Sequence, residues 1–395
     1  MNLNFTLTSK QAGLLADPNA LAIYRGGLGA GKTKALVIWA TMRAHLRRRI
    51  ILTEPTYGMI KDVLAPELEE LFEEYNIAYN YNKSDQLVDV GGGRIYLRSG
   101  ETPNRLRGIN ADDFGMDEAP YQNYDVYKAG LGRTNRRKGF IGGQVRLVGT
   151  PKGREWTVEL AEKKHANVYT QSTFANPFLT DEYKDSLVNE YTTEYALQEL
   201  YGQVIDFSAG VFNSKWFQNV EAYPVLPRTC RSWDLAFTTK KSSDFTSSAK
   251  ITLDAENIYA HDIFRLKTAW GDTRTAIIKT AHEDGRQVPI VIESVGGQIA
   301  LIDDLKRTSE LNGFKIIPFN PRGDKLNRAM GWGSKAERGK FFLLPNARKD
   351  YFYNEVNQFS ADDTHAHDDC IDAVSQAYNY LSNKNTIRTG SIDGV

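Results

Sequence analysis

The spacing of apolar and polar positions changes character midway along the chain. In the first half, short unbroken apolar runs alternate with stretches of helical spacing. Residues 20–24 (Ala-Leu-Ala-Ile-Tyr) suit a buried strand, and 34–46 carry apolar positions spaced as on one face of a helix. The order recurs, with an apolar run at 49–53, a helical pattern at 61–75 and another buried-strand pattern at 145–148. Residues 88–90 and 94–97 flank Gly91, Gly92 and Gly93 and predict a hairpin. Near the start, 12–15 are helix-like and Ser9 is a fitting N-cap. Continuous apolar strands separated by helices predict an α/β domain with a mostly parallel sheet and helices on both faces.

From Arg231 the texture changes. Strands at 231–236, 247–253 and 257–264 follow one another through short turns, which predicts an antiparallel meander. A helix at 273–283, a strongly apolar strand at 289–293, a further helix, a strand at 314–318 and a last helix at 368–381 complete the pattern. The last helix shows an apolar stripe of Ile371, Val374, Tyr378 and Leu381. This is a mixed sheet. The expected organisation is a first domain over 1–205, a linker over 206–228, a second domain over 229–382 and a polar tail over 383–395.

Composition narrows the class. Hydrophobic residues make up 41% and charged residues 25% of the 395, which describes an ordinary globular protein. Lys+Arg and Asp+Glu both number 49, so whole-chain charge gives no sign of a nucleic-acid partner and any such contact must be concentrated locally. Basic runs lie at 47–49 and 133–138, acidic ones at 67–74 and 362–372. The two cysteines, Cys230 and Cys370, have no C-x-x-C spacing and indicate neither a disulfide framework nor a zinc site. No signal-peptide pattern opens the chain, and no apolar run approaches the ~20 residues of a membrane span, so a cytosolic chain is expected.

Two groups of residues carry chemistry. Gly26-Gly27-Leu28-Gly29-Ala30-Gly31-Lys32-Thr33 satisfies G-x-x-x-x-G-K-[ST] between a strand and a helix. Such a loop curls its N–H groups onto phosphates, with Lys32 reaching the β/γ-phosphates and the Thr33 hydroxyl ligating Mg²⁺. Downstream, Asp117-Glu118 ends a short run in which Asp113 and Gly115 interrupt the expected apolar strand. An adjacent acid pair can support the metal shell and orient the attacking water. Thr150 ends a neighbouring strand, where a hydroxyl can sense the γ-phosphate. Gln11 reads either as a surface amide or as a partner for an adenine edge. In the second domain, Asp234 lies in the first strand, Glu293 ends the later apolar strand, and Asp368, Asp369 and Asp372 open the final helix. Acids on separate elements are what Mg²⁺ or Mn²⁺ ions at a scissile phosphodiester require. A meander followed by alternating helices and strands, with acids at these places, is the arrangement of an RNase H-like nuclease. Asp244 is a lesser candidate, and His365-Ala366-His367 reads as loop.

The chain resembles the large subunit of tailed-bacteriophage terminases. The likeness runs through Gly26 to Thr33, Asp117-Glu118, Gly149-Thr150-Pro151, Asn176-Pro177-Phe178-Leu179, Tyr201-Gly202-Gln203-Val204, Ser232-Trp233-Asp234, Ile292-Glu293-Ser294, Asp324-Lys325-Leu326-Asn327-Arg328-Ala329 and His367-Asp368-Asp369-Cys370-Ile371-Asp372-Ala373. It implies an N-terminal P-loop NTPase domain followed by an RNase H-like nuclease domain. It makes Gln11 the adenine contact, Gly26, Gly29, Gly31, Lys32 and Thr33 the ATP site, Asp117 the metal support and Glu118 the catalytic acid. Thr150 couples hydrolysis to DNA movement, and Arg25, Arg133 or Arg136 supplies an arginine finger. Asp234, Glu293, Asp368 and Asp369 become nuclease metal ligands. Implied cofactors are ATP and Mg²⁺, with Mn²⁺ an option at the nuclease. Implied partners are double-stranded DNA, the portal protein of the prohead, the small terminase subunit and further copies in a ring, in the host cell cytoplasm without a membrane. An ATP-dependent helicase-nuclease and a nucleotide-switched portal scaffold are the alternatives; the first would show further helicase motifs between Thr150 and Asp206, and none is found.

Overall fold

The short apolar runs of the first half become the central strands of an eight-stranded sheet. This is seen in a computed structural model that describes residues 5–135, 137–188, 190–207, 210–223, 228–236, 245–254, 256–294, 298–320, 323–360 and 367–383. The chain divides into two compact units, one built from Met1–Val188 and Glu194–Asp206, the other from Asn189–Thr193 and Phe207–Val395. In the first unit the strands are β1 (Leu21–Gly26), β2 (Arg49–Glu54), β3 (Tyr79–Asn82), β4 (Leu87–Val90), β5 (Gly93–Ser99), β6 (Asp113–Met116), β7 (Val145–Gly149) and β8 (Asn167–Gln171). Their spatial order is β3-β4-β5-β2-β6-β7-β1-β8. Six of them run parallel, and the β3–β4–β5 edge is antiparallel. One face packs on the helices Lys32–His45 and Ala65–Glu74, the other on Tyr124–Leu131 and Trp156–Lys164. Parallel strands bring the ends of β1, β2, β6 and β7 to one sheet edge, where ligands bind in such folds.

Local departures from the expected pattern have identifiable causes. The first helix spans Ser9–Ala16 and its N-cap is Thr8, not Ser9. Gln11 N donates to Thr8 Oγ1 and Thr8 N donates to Gln11 Oε1, a reciprocal capping box. The helix expected at 61–75 starts earlier, as Tyr57–Met59, widens into a π turn over Ile60–Leu64 and resumes as Ala65–Glu74. Pro66 has no N–H to donate, so the regular ladder cannot run through this point, and Ala65 N reaches back to Ile60 O instead. The interrupted run at 113–116 is nevertheless a central, fully buried strand. Gly115 is required there by close approach: a Cβ would lie 2.6 Å from Leu52 Cδ2 and 2.9 Å from Leu36 Cδ1.

In the second unit, β9 (Gln218–Asn219), β10 (Thr229–Asp234), β11 (Thr246–Leu253), β12 (Ile258–Leu266), β13 (Ile290–Glu293), β14 (Ile316–Phe319) and β15 (Phe341–Leu343) form a mixed sheet in the order β14-β13-β10-β11-β12-β15-β9. β10, β11 and β12 are the antiparallel meander, and β13 and β14 add in parallel beside β10. The final helix, Asp369–Ser382, lies against β10 and β11. Two findings correct the expected organisation. The stretch 206–228 is not a bare linker: it carries β9, and its Phe212 and Phe217 are buried among Trp332, Phe341, Phe352 and Phe359. Between β14 and the final helix stand two further helices, Lys325–Glu337 and Asp350–Gln358, with β15 between them. The tail from 384 onward lies outside the described residues.

Candidate functional site

Every backbone carbonyl from Gly26 to Gly31 accepts from a side chain. Thr150 Oγ1 donates to Gly26 O (2.9 Å), Lys32 Nζ to Gly27 O (3.1 Å), Thr173 Oγ1 to Leu28 O (2.7 Å) and Asn176 Nδ2 to Gly29 O (2.7 Å). Tyr24 Oη (3.1 Å) and Gln171 Nε2 (3.3 Å) donate to Ala30 O, and Gln11 Nε2 to Gly31 O (2.9 Å). With its carbonyls fastened, the loop turns the amides that open the Lys32–His45 helix toward a cleft of about 580 Å³. Amides in a helix's first turn have no earlier carbonyl to bond, and an anion satisfies them. Gly31 sits at φ +75°, and a Cβ there would lie 2.5 Å from Gln11 Nε2. Gln11 therefore holds both the first helix cap and the loop at the cleft wall, with both ends of its amide engaged.

Glu118 and Lys32 line the same cleft. The Lys32 ammonium donates to Thr150 Oγ1 at 2.9 Å and lies 3.6 Å from Glu118 Oε1, while Thr150 N donates to Glu118 Oε2 at 3.3 Å. Glu118 takes a left-handed backbone conformation, φ 41°, immediately after β6, a strained state for a residue with a side chain. Burial and Glu118 push the Asp117 pKa up to about 6, against Thr33 and Lys32, which favour its charged form. Glu54 belongs to no motif, yet it ends β2 beside Asp117 and is fully buried. Both its carboxylate oxygens, and Asp117 Oδ2, find no hydrogen-bond donor among the described residues. Burial and Asp117 push the Glu54 pKa up to about 10. The signal available for it is the one that selects Glu293: an acid closing an apolar strand.

The arginines are placed elsewhere. Arg25, on β1, is half-buried toward Glu155 and Glu162 and is not part of the cleft wall. Arg133 donates to Arg107 O at 2.7 Å, and its own carbonyl accepts from Ala111 N, at the opposite end of β6 from Asp117. Arg136 lies outside the described residues. The cleft wall contains no arginine among the described residues.

In the second unit, β10 and β13 run parallel with Trp233 opposite Ile292, so Asp234 and Glu293 close the two strands side by side. The Gln376 amide, oriented to satisfy both neighbours, donates to Trp233 O (3.2 Å) and accepts from Glu293 N (2.7 Å), tying both strand ends to the final helix. Asp369 is buried and its Oδ1 accepts from Phe245 N at 2.9 Å. Burial, then Asp372, Glu293 and Asp369, push the Asp234 pKa well above the usual carboxylate range. Glu293 is raised by burial and Asp372, against Arg328 and Lys325. Asp368 is bound to Lys325, whose Nζ donates to Asp368 Oδ2 at 2.6 Å, and Asp372 accepts from Arg328. His367 stands 3.7 Å from Asp369 Oδ2; Asp244 and His365 lie outside the described residues. Among the described residues no three His, Cys, Asp or Glu side chains stand close enough together to hold a metal ion as they are placed. The crowding of like charge at Asp234 nonetheless fits a divalent cation, which relieves it, and all the donors are hard oxygens.

The family model described as terminase large subunit, T4likevirus-type, N-terminal, matches residues 23–219, and the one described as terminase RNaseH-like domain matches residues 231–381. No curated protein matches the chain. Among solved structures, the large terminase of a thermophilic bacteriophage superposes with a TM-score of 0.70 at 14% identity over 96% of this chain and 100% of that one. Another crystal form of that protein, in complex with ADP, gives 0.67 at 15% over 97% and 100%. At such identity the likeness is one of fold.

Proposed function

The chain belongs to the terminase large-subunit family, with an ATPase domain followed by an RNase H-like nuclease domain, and from that premise we propose that it hydrolyses ATP to drive double-stranded viral DNA into a prohead and cuts the concatemer with its nuclease. The observation that carries the ATPase half is the bridge at the cleft. Lys32 joins the phosphate loop to Thr150, and Thr150 in turn holds Glu118 through its amide. A γ-phosphate arriving in the cleft competes for the Lys32 ammonium, so its binding and loss alter the bonds that Thr150 and Glu118 make. Glu118 is the acid at the cleft that orients the attacking water, and Asp117 with Thr33 holds the Mg²⁺, which would neutralise charge on the β/γ oxygens. The base lies against Gln11 and Phe178 on the cleft wall.

In the second unit, Asp234, Glu293 and Asp369 would hold a divalent metal, Mg²⁺ or Mn²⁺, which when bound would supply an activated water for a phosphodiester. DNA, the portal protein and the small subunit are the partners this activity needs, in the host cytoplasm. Phosphate contacts suit a motor that must move any sequence.

The two halves separate by substitution. Lys32→Ala removes the phosphate ligand and should lower ATP turnover by at least about a hundredfold, leaving Mn²⁺-dependent nicking of plasmid DNA intact. Asp234→Asn should do the reverse. A wild-type chain that, with DNA, portal and small subunit present, neither hydrolyses ATP nor nicks DNA would sink the proposal.

A further inference from the structure

The acids at the end of the second sheet are not equivalent, and the difference comes from two cations on the Lys325–Glu337 helix. Asp324 caps that helix, its Oδ1 accepting from Asn327 N at 2.8 Å, which sets the first turn against the acids. Lys325 Nζ donates to Asp368 Oδ2 at 2.6 Å and lies 3.2 Å from Asp372 Oδ2. Arg328, one turn on, donates from Nη2 to Asp372 Oδ1 at 3.1 Å. Arg328 is packed in, at 16% side-chain exposure, whereas Lys325 stands at the rim with 43%. The acids thus divide into a pair already neutralised from within the chain, Asp368 and Asp372, and the set assigned above to metal, Asp234, Glu293 and Asp369.

An ammonium has three donors on a flexible stem. Asp368 and Asp372 engage two of them, and the side chain stays 43% exposed, within reach of a ligand at the rim. A phosphodiester coming to five carboxylates meets strong repulsion unless fixed cations receive it. We propose that Lys325 is a catalytic residue of the nuclease, its ammonium bonding a non-bridging oxygen of the scissile phosphate while Arg328 holds Asp372 in place; this rests on the nuclease reading above. In the step it assists, a water oxygen bonds to phosphorus and one P–O ester bond breaks. The electron pair leaves on the sugar oxygen, and the two water protons end on that oxygen and in solvent. Lys325 stabilises the charge gathering on the phosphate and exchanges no proton.

The test is plasmid nicking by the full chain with Mn²⁺, joined to Mn²⁺ binding measured by electron paramagnetic resonance without DNA. Lys325→Ala should lower kcat about a hundredfold, with Mn²⁺ affinity and the KM for DNA within about twofold of wild type. Lys325→Arg should recover part of the rate, and Lys325→Met, which keeps the stem, should melt as wild type does yet nick as slowly as the alanine variant. Wild-type nicking by Lys325→Ala overturns the proposal. So does Mn²⁺ binding about tenfold tighter together with retained nicking, because the lysine is then only a placeholder for a metal ion. A wild-type chain that binds Mn²⁺ and never nicks overturns the nuclease reading itself, a result distinct from either.

Discussion

Glu54 shows what one side chain costs when it is buried without a cation. The folded protein raises its pKa to about 10 through burial and the Asp117 charge, while an unfolded chain would titrate it near the ordinary carboxylate value. A raised folded pKa places its stability contribution at low pH: it is whole below the unfolded pKa and is lost as pH rises toward 10. Glu54→Gln keeps the shape and removes the titratable proton, so folding no longer has to protonate this group above the unfolded pKa. In the absence of nucleotide and metal it should gain about 1–3 kcal/mol over wild type at about pH 8 and nothing near pH ~4, read from urea midpoints. Equal midpoints at the higher pH would mean that a partner already compensates the charge. At this scale the sequence is partly readable. Lys32, Thr33, Asp117, Glu118 and Thr150 all gather at one sheet edge, as a motif of fixed spacing and its strand ends imply. Glu54 escapes because its importance comes from β2 pairing with β6, a contact between residues far apart in the chain. Gln171 and Thr173 escape for the same reason, since a carbonyl fastener has no pattern of its own, and Asn176 is met only as part of a motif, without a role.

Among elements, β6 is the instructive one. Its run reads as too polar for a central strand because Asp113 opens it, and the basic runs at 47–49 and 133–138 have no partner assigned from the sequence. Each explains the other. Arg43 donates twice to the fully buried Asp113, at 2.7 and 3.0 Å, Arg48 lies 3.5 Å from it, and Arg137 donates to the buried Asp112 at 2.8 Å. Gln144 N also donates to Asp113, which joins the start of β6 to that of β7. A buried charge stripped of its partner is far more costly than the pair is beneficial. Arg43→Ala leaves Asp113 with Arg48 and the Gln144 amide, so it should destabilise the first unit by about 1–3 kcal/mol, and adding Asp113→Asn should recover part of that loss in urea unfolding. Strict additivity of the two changes would show that the pair is not coupled. Strands with unbroken apolar runs, such as β1, β2, β7 and β13, are legible from their composition. The Lys325–Glu337 helix, which buries Ala329, Met330, Gly333, Ser334 and Ala336 beside Trp332, is not among the expected elements.

For the whole molecule, the two chemistries sit in units that each have their own sheet and their own apolar core. The change from helix-separated strands to a meander near Arg231 is visible in the sequence. That the stretch before it belongs to the second unit is not, since its anchors are aromatic contacts with distant residues. Separate cores predict separate melting transitions. A ligand that binds only the folded form stabilises it by about 2.7 kcal/mol at about a hundred times its Kd. A slowly hydrolysed ATP analogue with Mg²⁺ should therefore raise one calorimetric transition by about 2–4 °C and leave the other in place, while Mn²⁺ without nucleotide raises the second. Lys32→Ala should erase the first shift only, and Asp234→Asn the second only. This pattern assigns each ligand to its unit without asking for turnover. Nucleotide raising both transitions equally in the Asp234→Asn chain would instead make the two units one energetic body, and ATP binding would then bear directly on the acids grouped with residue 234, Glu293 and Asp369.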